Sequence, residues 1–191
     1  VHASLDGVDP LSTDEVLSIA QQFMVAGNET STNMISAAML HLCRNADQMS
    51  AVLGEPGLIP NAIEETLRME SPAHVMFRLA TRDAEIAGTR LPAGSRIAVV
   101  YGSANRDEAK FPDPDRFDVR RENARDHLAF GHGTHYCLGA GLARKEGVVA
   151  LEVLLSRLRG WRLPPGRNDF RHHPLLILRG LTALHCAFDP A

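Results

Sequence analysis

The residues best suited to chemistry are ten in a row, Phe130-Gly131-His132-Gly133-Thr134-His135-Tyr136-Cys137-Leu138-Gly139. One cysteine stands among glycines and histidines, directly before an apolar run with helical spacing. Gly131, Gly133 and Gly139 permit a sharp turn and a close approach of backbone to a flat or bulky ligand. If Leu138 opens a helix, the free N–H groups of its first turn point toward the sulfur and favour thiolate. A thiolate with donors around it suits a soft metal, or one axial position on haem iron. Three other readings compete. His132, His135 and Cys137 could ligate zinc, but their spacing fits no common structural site and no fourth ligand is close in sequence. A nucleophilic cysteine could pair with His135, although a base two residues away in the same loop is poorly placed. Cys137 could also be a small buried residue in a glycine turn, as free cysteines commonly are. The loop by itself leaves these readings open.

A second concentration of polar residues lies upstream, in AGNETSTN at 26–33. Its flanks are apolar on most sides: Val16, Leu17, Ile19, Phe23, Met24 and Val25 before it, Ile35, Met39, Leu40 and Leu42 after it. Ser12 and Glu15 form an S-x-x-E capping box, and no proline interrupts the run that follows. The spacing predicts one helix over 12–44, with about 30 residues in regular helix and so roughly 45 Å long at 1.5 Å per residue. A helix apolar nearly all round belongs in the middle of a larger structure. Buried polarity is costly unless paired, so the polar centre is a candidate site.

The elements that must position these residues follow from the remaining pattern. A short helix is expected near 47–53 and another over 61–70, opened by Asn61 and Glu64 and closed by Ser71-Pro72. Short β-leaning segments punctuated by Ala-Gly, Pro-Ala-Gly and Gly-Ser predict a small sheet of hairpins over 75–101. A proline-rich polar loop leads into the cysteine stretch at 130–139. A helix with 3.6-residue periodicity is expected over 139–159, and short strands over 161–188, chiefly LLILRG and TALHCAF. There are no repeats and no low-complexity linker, so residues 1–191 read as one unit, mainly α with small antiparallel β-sheets.

Bulk properties narrow the class. The 191 residues are 45% hydrophobic and 23% charged, enough for one substantial core. A net charge of -3 argues against nucleic-acid or anionic-membrane partners. Arginine outnumbers lysine 18 to 2, which reads as coding bias more than as a phosphate-binding face. Three distant cysteines argue against a disulfide framework and for a reducing compartment, hence a cytoplasmic protein. No apolar run is long enough to span a membrane. The start at Val1 is compatible with processing, excision, or the second part of a longer protein.

Three separated motifs resemble the cytochrome P450 family. Phe130 to Gly139 matches its haem-binding loop, F-x-x-G-x-x-x-C-x-G. Glu65-Thr66-Leu67-Arg68 matches its Glu-x-x-Arg helix, and Ala26-Gly27-Asn28-Glu29-Thr30 its central-helix motif. Their order and spacing, with PAGSRIAVVYGSANRD and FPDPDRFD between them, extend the resemblance over essentially the whole chain, closest to soluble bacterial members. It covers only the C-terminal half of the family pattern, so the chain is expected to need its N-terminal half.

The resemblance implies haem b with Cys137 as its axial thiolate, electron donation from sulfur being what favours O–O cleavage. The amides of Leu138 and Gly139 would temper that donation, and Phe130 would pack near the sulfur. His135 and Arg78 would bind the haem propionates. Glu65, Arg68 and Arg116 would form a buried structural triad. Glu29 and Thr30 would relay protons to dioxygen at a local opening in the long helix. A threonine back-bonding to the preceding turn and a glutamate facing solvent are the plain alternative there. Val25, Ala26, Gly27, Ala73, Val75, Met76, Ile177 and Leu178 would contact substrate, or be ordinary core. The implied reaction is insertion of one oxygen atom from O2 into a small organic molecule. Its electrons would come ultimately from NAD(P)H through a ferredoxin reductase and a ferredoxin. Arg120, Arg121, Arg125, Arg144 and Lys145 would offer the ferredoxin a docking face. Peroxide-driven or non-oxygenating haem-thiolate chemistry and a non-catalytic fragment are the alternatives. Two departures from the family pattern stand out: Gly141 in place of a common proline, and Glu29 in place of the commoner aspartate.

Overall fold

Three helices of very different surroundings set the frame. The computed structural model describes residues 9–190, so the Val1 start lies outside them. Helix α1 runs from Thr13 to Arg44, opened by the expected capping box: Ser12 Oγ accepts from the Glu15 amide at 3.3 Å, and Glu15 Oε2 accepts from the Ser12 amide at 2.8 Å. Helices α2 (Ala46–Gly54) and α3 (Ile59–Glu70) follow, and α5 (Ala140–Arg157) packs with α1 and α3. A four-residue helix, α4, spans Tyr101–Ala104.

The strands form three two-stranded antiparallel sheets: β1 (Val75–Leu79) with β4 (Arg96–Val100), β2 (Ala84–Ile86) with β3 (Thr89–Leu91), and β5 (Leu158–Arg162) with β6 (Ala187–Pro190). In the C-terminal stretch, LLILRG is not a strand. It contributes one isolated bridge, Leu178 with Ala73, flanked by the His74 amide donating to Ile177 O and the Arg179 amide to Pro72 O; a second bridge, His172 with Leu181, lies just beyond it. Asn61 does not cap α3 either. Helix α3 starts two residues earlier, after a 3-10 turn at Pro56–Leu58, and Asn61 Nδ2 instead donates to the carbonyls of Val119 and Arg121.

The core gathers where α1, α3 and α5 meet, around Met34, Ala38, Leu42, Ile63, Leu67 and Leu151. Gly147 marks the closest approach: a Cβ there would lie 2.8 Å from Met34 Cε and 2.9 Å from Ile63 Cδ1. Only the second half of α1 is buried. Leu17, Ile19, Phe23, Met24 and Val25 stay exposed, because none of the described residues covers the first half of the helix. The expectation of a centrally buried helix therefore holds from Asn33 onward and not before.

Helix α3 is buried along nearly its whole length despite its charges, and each charge has a partner. Glu65 and Arg68 are both fully buried and pair through two parallel bonds, Nε to Oε2 at 2.7 Å and Nη2 to Oε1 at 2.9 Å. Arg68 Nη1 donates to the Asn105 carbonyl at 2.8 Å. The third member of this cluster is Arg121, whose Nε donates to Glu65 Oε1 at 3.0 Å, and not the expected Arg116. Arg116 has an exposed side chain and offers only its backbone carbonyl, which accepts from Arg68 and Arg121. Two arginines lie five residues apart in one loop, and only the path of that loop decides which turns inward.

At the end of α3, Glu70 Oε1 pairs with His41 Nε2 at 2.9 Å, and its Oε2 accepts from Arg179 Nε at 2.8 Å. Burial pushes this carboxyl up, but the His41 and Arg179 contacts outweigh it and hold it well below its ordinary 4.5, at about 2. His172 and His74 lie near the same residues, and burial followed by the charge of Arg179 lowers both.

Arg68→Met should destabilise the protein by about 3–5 kcal/mol in denaturant unfolding, because it strands the Glu65 carboxylate in the core. A loss near zero would mean that Glu65 draws little from the pair. The Glu70 shift fixes a pH window. A carboxyl lowered on folding stabilises above its unfolded pKa and loses that contribution as pH falls from about 4.5 toward about 2. His74 and His172, lowered from 6.5, act in the same direction from higher pH, since the unfolded state binds their protons more readily. Melting temperature should therefore fall steadily on acidification, and Glu70→Gln should flatten the acid part of the curve.

Candidate functional site: a cysteine loop at the head of a helix

The cysteine loop is built by short backbone bonds and two glycines in the left-handed region. Gly131 and Gly133 have φ of 74° and 76°, values that favour glycine. At Gly131 there is a second constraint, because a Cβ would lie 3.3 Å from the hydroxyl of Tyr101. The Gly131 amide donates to Leu128 O, the Tyr136 amide to Gly133 O, and the Cys137 amide to Phe130 O at 2.9 Å. Residues 133–135 make a single 3-10 turn, and α5 begins just after Gly139. Asn105, already tied to Arg68, accepts from the Leu128 amide at 2.6 Å through its side chain and so ties the start of the loop to the buried pair.

Cys137 is a free, exposed thiol. That sets aside the buried-cysteine reading, which fits Cys43 better: its thiol is half-buried, and burial is the first reason it is pushed up to about 12. Among the described residues no three His, Cys, Asp or Glu side chains form a metal-holding group, so His132, His135 and Cys137 do not converge as a zinc chelate. What the loop presents is one thiol on an open surface, flanked by Leu138, which is 88% exposed, and by Gly133, with open space where a Cβ would stand. One soft ligand with open surroundings fits a single axial bond to haem iron.

Phe130 packs against the core from below the loop, its ring 5.7 Å from that of His127 and 6.3 Å from that of Tyr136. His135 lies exposed on the turn, and Arg78 lies exposed on β1 with its Nη1 donating to the neighbouring Phe77 carbonyl. No contact joins those two residues. Sheet β1–β4 does lead toward the loop, since it continues into α4 and Tyr101.

On α1, Thr30 Oγ1 donates to the Ala26 carbonyl at 2.7 Å, and Thr32 Oγ1 to Asn28 O at 2.9 Å. The helix is α-helical without interruption from Thr13 to Arg44, so the expected opening in its ladder is not there. The threonine hydroxyl back-bonds to the preceding turn instead. Glu29 is exposed, as are Val25, Ala26 and Gly27. Of the expected substrate-facing residues beyond α1, Met76 and Ile177 are exposed and Leu178 bridges Ala73. Val75 is 3% exposed and faces the protein, because alternate residues of β1 point to opposite sides. Gly180 lies directly against Asn33, which brings the 177–180 turn onto the middle of α1.

The arginines near the loop divide by direction. Arg120 pairs with Glu55 on the surface, and Lys145 is exposed. Arg121 turns inward to Glu65, and Arg144 turns inward to Glu64, with Nε to Oε1 at 2.7 Å and Nη2 to Oε2 at 3.2 Å. Those two do not belong to an outward docking face. Glu64 itself escaped the sequence reading except as a capping residue. Burial pushes its carboxyl up, yet the bonds and charges of His127 and Arg144 hold it at about 2. The signal available was its place one residue before Glu65, on a helix too polar to be buried without partners.

Comparison with known proteins agrees with this geometry. Residues 57–180 match the family model for cytochrome P450. Cytochrome P450 107B1 of Saccharopolyspora erythraea is 42% identical over 96% of this chain, and 6-deoxyerythronolide B hydroxylase of the same organism is 41% identical over 94%. Those alignments cover 45% and 44% of the two relatives, so the chain spans less than half of their length. The structure of cytochrome P450 CYP150A6 from Mycobacterium marinum, in its substrate-free form, superposes on the whole chain with a TM-score of 0.95 at 37% identity, using 48% of that protein. The loop around Cys137, the Glu65–Arg68 pair beneath it and these likenesses together place the chain in the cytochrome P450 family.

Proposed function

We propose that this chain forms the haem-binding portion of a bacterial-type monooxygenase that inserts one atom of O2 into a small organic substrate. Haem b held through Cys137 would supply dioxygen binding and activation, with the sulfur donating electron density. What carries this reading is Cys137: a free, exposed thiol, held by a short backbone bond in a glycine turn at the head of α5. Leu138 and Gly139 would direct amides toward the sulfur and moderate its basicity. His135 and Arg78, both exposed cations or donors, would hold the propionates.

Across the site, Thr30 would hold and pass a proton at Oγ1. Its hydroxyl hydrogen is engaged by Ala26 O, and its oxygen lone pairs remain able to accept. Glu29, exposed one residue away, would resupply that proton. Ala26 and Gly27 leave room for oxygen and substrate, with Val25, Met76, Ile177 and Leu178 as apolar contacts. The uncovered apolar half of α1 would be closed by an N-terminal half of the same enzyme. Electrons would arrive singly from a ferredoxin supplied by a ferredoxin reductase and NAD(P)H, with Arg120, Lys145 and Arg125 as the charges for docking, Arg125 being largely exposed although its Nε also lies 3.3 Å from Glu64. A cytoplasmic location is proposed with the bacterial-type assignment; no described helix is long and apolar enough to cross a membrane.

A second reading has one observation in its favour. The unbroken α1 and the back-bonded Thr30 leave no formed proton path, and peroxide-driven chemistry would need none.

Loaded with haem and reduced under carbon monoxide, the protein should show the red-shifted band of thiolate ligation, and Cys137→Ala should abolish it. An unchanged band in that variant overturns the assignment. Thr30→Ala should keep haem while oxygen consumption uncouples from product. Intact coupling would remove Thr30 from the relay, and normal turnover of Glu29 and Thr30 variants with hydrogen peroxide would favour the second reading.

A further inference from the structure

Both ends of the cysteine loop hang from one buried carboxylate, Glu64. Its Oε1 accepts from Arg144 Nε at 2.7 Å and pairs with Arg125 Nε at 3.3 Å. Its Oε2 accepts from Arg144 Nη2 at 3.2 Å and pairs with His127 Nε2 at 3.0 Å. On the His127 side, the ring Nδ1 accepts from the Ala129 amide at 3.1 Å, which leaves Nε2 as the nitrogen that donates to Glu64. On the Arg144 side, the remaining arm reaches the loop directly. Arg144 Nη1 donates to the Tyr136 hydroxyl at 3.1 Å, and its guanidinium carbon lies 4.6 Å from the centre of the Phe130 ring. Phe130 in turn accepts the Cys137 amide at 2.9 Å. One guanidinium therefore grips the residue before the cysteine and the residue whose carbonyl holds it.

We propose that Glu64 and Arg144 are positioning residues for the Cys137 sulfur, the carboxylate fixing the plane of Arg144 and Arg144 clamping Phe130 by its face and Tyr136 by its hydroxyl. Three properties of arginine are used at once: the two-pronged fork on Glu64, a further donor for Tyr136, and a flat cation over an aromatic ring. Lysine offers none of these in combination, though it keeps the charge that Glu64 needs. The clamp would fix the height and tilt of the sulfur, and with them the strength of its bond to iron. That consequence rests on the haem-ligand reading, whereas the clamp is a property of the loop and is measurable without haem.

The test is residue-resolved hydrogen exchange on the 191-residue chain, comparing the parent with Arg144→Lys and Tyr136→Phe. Tyr136 is half exposed and its ring is kept, so the second variant folds even if the first does not. Exchange of the Cys137 amide should accelerate about tenfold in Arg144→Lys and severalfold in Tyr136→Phe, because a bond to a charged group is lost or weakened. The Leu151 and Leu155 amides, further along α5, should keep their parent rates. With haem and carbon monoxide, both variants should lose part of the red-shifted band, whereas Arg90→Lys, in a surface pair with Asp83, should not. Parent-like Cys137 exchange in Tyr136→Phe, or equal acceleration along all of α5, overturns the clamp. In the complete enzyme, with the N-terminal half supplied, a parent that lacks the red-shifted band overturns the ligand reading alone and leaves the exchange result standing.

Discussion

The buried pair of Glu65 and Arg68 is the constraint on which the rest depends. Two opposite charges with no exposed surface are costly to desolvate, and their attraction offsets that only if the remaining donors and acceptors are also met. The chain meets them by routing the 105–121 loop around the pair: Asn105 and Arg116 give carbonyls, Arg121 a guanidinium and Asp118 an amide. Phe111, fully buried, lays its ring 5.3 Å from the Arg68 guanidinium. A long segment with almost no regular structure thereby acquires a fixed path. Asn105 passes that path on, holding Ser71 at the end of α3 through its amide nitrogen and Leu128 at the start of the cysteine loop through its oxygen.

Helix α3 repeats the device twice more. Its carboxylates serve three directions: Glu64 the cysteine loop, Glu65 the 105–121 loop, and Glu70 both α1 and the C-terminal turn through His41 and Arg179. Each would be a liability if left unpaired in the interior. Each is instead the reason an irregular segment sits where it does. The loops and turn it fixes are irregular, while the helix itself is buried, the usual division of labour between a scaffold and the loops it holds.

The first half of α1 is less complete. The first half of α1 shows water its apolar side chains together with Glu29, and Thr30 spends its hydroxyl hydrogen on its own helix. The matched relatives are about twice as long as this chain, and the uncovered face of α1 is where additional structure would have most to bury. The cysteine side, by contrast, is self-sufficient: every tie that shapes its turn comes from within residues 64–144.

Local signals in the sequence determined much of this. The Ser12–Glu15 box gave the start of α1, because a cap is decided within one turn. The glycines around Cys137 gave the turn, since a positive φ restricts the residue type at the position itself. The order of the three motifs gave the family. Only the tertiary structure decided which of Arg116 and Arg121 closes the buried pair, that Val75 faces inward and Met76 outward, and that Arg144 grips the cysteine loop and not a partner's surface. Those outcomes depend on where a chain passes in space relative to residues tens of positions away. Residue type and spacing carry no direction in a loop, and an arginine acquires one only when a buried carboxylate waits at the end of its reach.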